Sequence, residues 1–238
     1  MNKIIFSAVD NSNLKQVKKI IKDTKTDRLK IIPKFGLQFF YSKNGRKFLE
    51  NFKSEFFLDI KASDIPQTIT SALNSLKDLK KIKYITVMAS VGLKGLKDFQ
   101  KQAKKINNSI IVCGVTILTS LDNKSLKEIG YKDKVEKLVL KQAGIIKKAG
   151  LKGIVASANE AKMIRKKYKN LFIVTPGIRL PGDKSHDQSR INTPMSAFKA
   201  GASAIVLGRS INSGNIKRNV KRLIDHLNQW KVVRSVGS

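Results

Sequence analysis

Eight short runs rich in Ile, Val and Phe recur along the 238 residues, and between them lie longer stretches with apolar residues at three- and four-residue spacing. The runs are "IIFSAV" at 4–9, "LKIIPKFG" at 29–36, "EFFLDIK" at 55–61, "YITVMA" at 84–89, "SIIVCGVTIL" at 109–118, "GIVAS" at 153–157, "LFIVTPG" at 171–177 and "AIVLG" at 204–208. Strands buried on both faces read as apolar runs, and strands alternating with helical patterns pair in parallel. Eight such units predict an α/β fold, a (β/α)₈ barrel.

The connecting segments agree. "NLKQVKKIIKD", "VEKLVLKQAGIIKKAG" and "PMSAFKAG" carry helical spacing, and glycine closes the latter two. No linker interrupts the series, and the length suits one large core, so residues 1–238 are read as a single domain. Pro33 conflicts locally with the second strand, because proline removes a ladder donor; a bulge or an early strand end is expected there. After Trp230 the ending "VVRSVGS" is expected to fray over about 231–238.

A formal net charge of +31 would attract nucleic acid, anionic lipid or a phosphorylated small molecule. Lysine pairs such as Lys18-Lys19, Lys80-Lys81, Lys104-Lys105 and Lys147-Lys148 are spread along helical segments, which reads as solvated helix faces. No nucleic-acid-binding signature accompanies them, so no specific nucleic acid is expected. The single Cys113 sits in an apolar run and is expected to be a buried thiol in a reducing cytoplasm. His186 and His226 are too few and too separated for a zinc site, and no metal is expected. The N-terminus lacks a signal layout and no apolar run is long enough to span a bilayer, so a soluble cytoplasmic protein without a membrane partner is expected.

In parallel barrels the chemistry lies at the C-terminal ends of the strands. That rule selects Asp10, Lys34, Asp59, Lys61, Asp64, Thr119, the "PGIR" segment and the "GRS" segment. Along a regular strand Phe57, Asp59 and Lys61 would share one face, with Phe56, Leu58 and Ile60 on the other. A structural ion pair would explain the first set, since a Lys and an Asp within about 4 Å attract by roughly 4 kcal/mol at an effective dielectric near 20. Asp64, just before "IPQTITSALNSL", could merely cap a helix. Neither reading explains all three charged residues together.

The set Asp59, Lys61, Asp64, Ile65, Pro66 and Thr68 resembles the Asp-x-Lys-x-x-Asp-Ile-Pro-x-Thr segment of the orotidine 5′-phosphate decarboxylase family. "IIFSAVD", "KFGLQFF", "GVTILTS", "GIVASANEA", "VTPGIR" and "AIVLGRSI" resemble further strands of that family, in order along nearly the full chain. The resemblance implies a cofactor-independent carboxy-lyase that converts orotidine 5′-phosphate to UMP and CO2. It implies that Lys61 protonates C6, that Asp59 and Asp64 hold Lys61, and that Lys34 completes an alternating charged array. Asp10 and Lys34 would contact the ribose, and Thr119 the pyrimidine, unless Thr119 or Ser120 caps the next helix. Arg179, Gln188, the Gly208 amide and Arg209 would hold the phosphate, for which arginine's donor fork is suited. Asp64 and Thr68 would cross into a partner's site, so a homodimer is implied. Ser157 with Glu160 reads as a capping box and His186 as an exposed loop residue.

Three residues depart from the family's commonest pattern: Met88 stands where histidine is frequent, Ser210 where proline is frequent, and Pro33 precedes Lys34. One rival reading is a magnesium-using sugar-phosphate decarboxylase or aldolase-like relative with a similar Asp-x-Lys-x-x-Asp segment. Another is a noncatalytic basic nucleic-acid-binding protein.

Overall fold

The structure, a computed structural model, describes residues 3–183 and 192–235, with the backbone alone beyond residue 229. The strands are β1 (Ile4–Val9), β2 (Lys30–Gly36), β3 (Phe56–Ala62), β4 (Ile82–Met88), β5 (Ile111–Val115), β6 (Gly153–Val155), β7 (Phe172–Thr175) and β8 (Ala204–Leu207). They are parallel and follow one another around a closed barrel, with β8 pairing back onto β1. The helices are α1 (Leu14–Asp23), α2 (Leu37–Phe40), α3 (Gly45–Glu50), α4 (Pro66–Asn74), α5 (Gly92–Ile106), α6 (Asn123–Glu128), α7 (Val135–Lys148), α8 (Ala158–Lys167), α9 (Pro194–Lys199), α10 (Arg209–Asn212) and α11 (Ile216–Ser235). Each of the eight apolar runs therefore overlaps one strand of a (β/α)₈ barrel, although "SIIVCGVTIL" is extended only from Ile111 to Val115.

Local sequence explains how several helices start and stop. Asn13 accepts from the amides of Lys15 and Gln16 and so caps α1. Ser157 and Glu160 form the expected capping box of α8. Past α7, Gly150 at φ 79° donates to the Lys147 carbonyl while Leu151 donates to Ile146, and Gly201 at φ 104° ends α9 with the same paired bonds. A positive φ at these positions favours glycine because it lacks Cβ.

Strand alternation sorts the core into two layers. Phe56 and Leu58 pack outward among the helices with Phe35, Ile85 and Leu96. Phe6, Ile32, Phe57, Tyr84, Cys113, Val174 and Ala204 cluster together separately and plug the barrel. Within this plug the rings of Phe6 and Phe57 lie 4.8 Å apart and those of Phe6 and Tyr84 5.0 Å apart, in tilted and edge-on geometry. Cys113 is fully buried in this plug, and burial pushes its thiol well above the usual range. The plug forms the floor beneath the site, because the next residue on the same face of each strand stands one step higher.

One expectation is corrected. β2 neither bulges nor ends at Pro33: it pairs continuously with β1 from Lys30 to Phe35, with Pro33 opposite Ser7. The β2–β3 ladder begins only at Lys34, so Pro33 lies where β2 is paired on one side. The irregularities lie in the β3–β4 pairing, whose register shifts between Phe56 and Phe57 and again between Leu58 and Ala62. At the other end of the chain, the backbone from Lys231 to Ser235 belongs to α11. No Gly or Pro stands between Trp230 and Gly237 to stop the helix. The rest of the expected frayed segment, 236–238, lies outside the described residues.

Candidate active site

Above the plug, at the C-terminal ends of the strands, opens a cavity of about 300 Å³. Its wall is apolar on one side, from Val115, Ile117 and Leu118 round to Val155, Val174, Pro176 and Val206. The opposite side carries Asp10, Lys34, Asp59 and Lys61, with Thr119 also on the lining. One-sided charge in a largely apolar chamber suits a ligand with one reactive polar edge.

The charged side is a continuous alternating chain. Asp10 Oδ2 lies 3.4 Å from Lys34 Nζ, Lys34 Nζ lies 3.1 Å from Asp59 Oδ2, and Asp59 Oδ1 lies 2.9 Å from Lys61 Nζ. The strand periodicity produces this order: Ile32 and Phe57 are in the plug, and Lys34 and Asp59 follow each of them by two residues. Lys34 is 7% exposed in its side chain and Asp59 13%, whereas Lys61 is 34% exposed. The array thus runs from a shielded centre to an amine that a ligand can reach. Burial alone would raise the Asp59 carboxyl, but the charges of Lys34 and Lys61, with their hydrogen bonds, hold it below its ordinary value.

Two further residues shape the array and carried no signal in the sequence reading. Gly36, the last residue of β2, runs so close to Asp10 that a Cβ there would overlap the Asp10 carboxylate. Thr86 of β4 is fully buried, and its Oγ1 lies 2.8 Å from the Lys61 amide and 3.1 Å from Asp59 Oδ1. A glycine in a strand and a threonine in an apolar run are both common, so only the three-dimensional placement distinguishes them.

Of the residues singled out in the sequence, the cavity gathers Asp10, Lys34, Asp59, Lys61 and Thr119. Thr119 is exposed, and neither it nor Ser120 caps the next helix: Asp122 is the cap of α6 and accepts from the Ser125 amide at 2.8 Å. Asp64 and Thr68 are exposed and do not line the cavity of their own chain. Asp64 is not the cap of α4 either; Ile65 holds that position, and the Asp64 carboxylate accepts from the Ile65 amide at 2.7 Å. Arg179, Gly208 and Arg209 also lie off the cavity lining. Arg179 is half-buried after β7, Arg209 is exposed at the start of α10, and Gly208 follows β8 with Ala8 of the cavity wall opposite it. Gln188 and His186 lie outside the described residues. Met88 ends β4, half-buried, while Ser210 is buried in α10. Among the described residues, no group of three or more His, Cys, Asp or Glu could hold a metal ion, and no helix is long and apolar enough to cross a membrane.

Comparison with known proteins converges on one family. The model of the Orotidine 5′-phosphate decarboxylase / HUMPS family matches residues 3–223. The orotidine 5′-phosphate decarboxylase of Prochlorococcus marinus (strain AS9601) is 38% identical over 217 residues, covering 87% of this chain and 88% of that protein. The enzyme of the same name from Carboxydothermus hydrogenoformans is 35% identical over 226 residues, covering 92% of each. Among solved structures, the orotidine 5′-phosphate decarboxylase of Lactobacillus acidophilus superposes with a TM-score of 0.80 at 26% identity, over 95% of this chain and 100% of that one.

Proposed function

The chain belongs to the orotidine 5′-phosphate decarboxylase / HUMPS family, and from that premise we propose that it converts orotidine 5′-phosphate to UMP and CO2, the closing step of UMP synthesis. The observation that carries the reading is the alternating array Asp10, Lys34, Asp59, Lys61 on one side of an otherwise apolar cavity. As the bond from C6 to the carboxylate breaks, CO2 leaves and its electron pair stays on C6. The Lys61 ammonium stabilises that charge and transfers a proton to C6, forming the new C–H bond. Asp59, held as carboxylate by Lys34 and Lys61, faces the substrate carboxylate and keeps the Lys61 amine in place. The reaction needs a proton donor and a preorganised field, with no cofactor.

Asp10 and Lys34 serve the ribose and Thr119 the pyrimidine edge. The phosphate end goes to Arg179, Gln188, the Gly208 amide and Arg209, at the β7 and β8 loops where such barrels commonly bind phosphate. Binding energy from that remote end organises the reacting one. The high positive charge favours approach of a multiply anionic substrate. A cytoplasmic location belongs to the same reading.

The test is loss of pyrimidine absorbance on mixing orotidine 5′-phosphate with purified protein, with and without chelator. Cofactor-free turnover that survives chelation is expected. Activity abolished by chelator and restored by magnesium would move the reading to the metal-using sugar-phosphate relatives. Binding of nucleic acid with a steep salt slope that persists in Lys61→Ala, without turnover, would move it to a nucleic-acid-binding protein.

The working unit in this reading is a homodimer with shared sites. Asp64 and Thr68 are exposed and do not line their own cavity, and the connections after β2 and β3 expose Leu37, Tyr41 and Ile65, at 65% for Ile65. Exposed apolar side chains on adjacent connections fit a contact with a second copy. Lys61→Ala and Asp64→Ala are each expected to be inactive alone, while mixed and exchanged chains regain up to about one quarter of the wild-type sites by random pairing. No recovery after subunit exchange is demonstrated by labelled chains would end the shared-site proposal.

A further inference from the structure

Lys61 has φ 47°, the one positive value at a non-glycine residue among those described. A left-handed conformation is costly for a side chain with Cβ and persists only where the surroundings over-determine it. It falls where β3 slips in register against β4 between Leu58 and Ala62, so regular ladder pairing is interrupted at Lys61.

One side chain spans the interruption. The Lys61 amide donates to Thr86 Oγ1 at 2.8 Å. The hydroxyl in turn donates its single proton to Asp59 Oδ1 at 3.1 Å, the same oxygen that receives Lys61 Nζ at 2.9 Å. The result is a closed ring from the Lys61 amide through Thr86 and Asp59 back to the Lys61 amine. Thr86 is itself anchored: it is 0% exposed and sits in the β4–β5 ladder opposite Cys113. Its hydroxyl therefore accepts from the backbone of the proposed proton donor and donates to the carboxylate that orients that donor's side chain.

We infer that Thr86 is a positioning residue for the decarboxylation, fixing the left-handed backbone of Lys61 and the Asp59 carboxylate in one geometry so that the amine meets C6. The inference rests on the reading that Lys61 delivers the proton. Valine has nearly the same shape as threonine but neither accepts nor donates, so Thr86→Val leaves the Lys61 amide and Asp59 Oδ1 each without this partner. A misplacement of this kind costs on the order of 10²-fold in rate, and it should fall on kcat, with KM for orotidine 5′-phosphate changed by no more than about threefold. Thr86→Ser keeps the hydroxyl and is expected to stay within about fivefold of wild type.

The experiment measures kcat and KM for wild type, Thr86→Val, Thr86→Ser and Thr86→Ala, with the thermal midpoint of each. Thr86→Val equal to wild type overturns the inference. So does Thr86→Ser as slow as Thr86→Val, since packing and not the hydroxyl would then be responsible. Should Thr86→Val fail to fold, Thr86→Ala and Thr86→Ser decide: Ala at least tenfold slower than Ser supports the role, and equal rates overturn it. A wild-type protein without decarboxylase activity removes the parent reading, an outcome distinct from any pattern among the variants.

Discussion

Lys61→Ala is expected to lower the decarboxylation rate by about four orders of magnitude or more, while leaving UMP binding and the fold in place. The size follows from adding two losses. A positioned general acid contributes roughly 10²–10⁴-fold, and a preorganised charge facing the developing carbanion adds roughly 10²–10³-fold. The fold should tolerate the change because the Lys61 side chain is one-third exposed and Asp59 keeps both Lys34 and Thr86 as partners. Lys61→Gly sharpens the point. Alanine inherits the left-handed backbone at φ 47° and its strain, whereas glycine adopts it freely, so the glycine variant should be as inactive yet more stable than the alanine variant by about 1 kcal/mol. Single-turnover assays paired with thermal melts of the two variants separate rate from stability. An active Lys61→Ala enzyme would remove Lys61 as proton donor.

Which parts of this were legible in the sequence follows from what each signal depends on. The barrel was legible because strands buried on both faces must be apolar along their length, and eight such runs stand at intervals that leave room for helices. Asp59 and Lys34 were legible because charge at the end of an apolar run needs a reason, and the period of two puts them on the inward face. The geometry of Lys61 was not. Simple alternation places it beside Asp59, but its backbone actually leaves the pleat at a register slip, and neither the slip nor the positive φ has a residue signature, since lysine is an ordinary strand-end residue. Thr86 escaped for a related reason: "YITVMA" reads as one more buried strand, and its threonine acquires meaning only from β3 lying against it. Pro33 shows the opposite error. The rule against proline in a ladder is sound, but it applies per side, and β2 is paired with β1 alone at that point.

Asp59→Asn carries the second large effect, because it removes the one negative charge placed between two ammonium groups. Lys34 is nearly buried and, among the described residues, keeps only Asp10 as a charged partner, at 3.4 Å, when Asp59 loses its charge. Removing one partner of a buried ion pair costs roughly 3–5 kcal/mol, and the remaining Asp10 contact puts this case near the lower end, about 3 kcal/mol. For a chain of this size that is a fall of roughly 6–12 °C in thermal midpoint. The rate should drop by about 10³-fold, because the Lys61 amine loses the acceptor at 2.9 Å that orients it. The pH dependence has a definite sign. The Asp59 carboxyl is held below its ordinary value in the folded protein, against the opposing effect of burial, so the folded chain binds its proton less readily than the unfolded one. Its stabilising contribution is therefore complete above the unfolded value of about 4 and is lost as the pH falls through the lower folded value. Wild-type melts should show this acid loss, and Asp59→Asn melts, already lowered at neutral pH, should show a shallower acid slope by that one group. If the two proteins lose stability in parallel below pH 4 (by melts in matched ionic strength), the charge on Asp59 is not what ties the array together, and the lysines must be held by other groups.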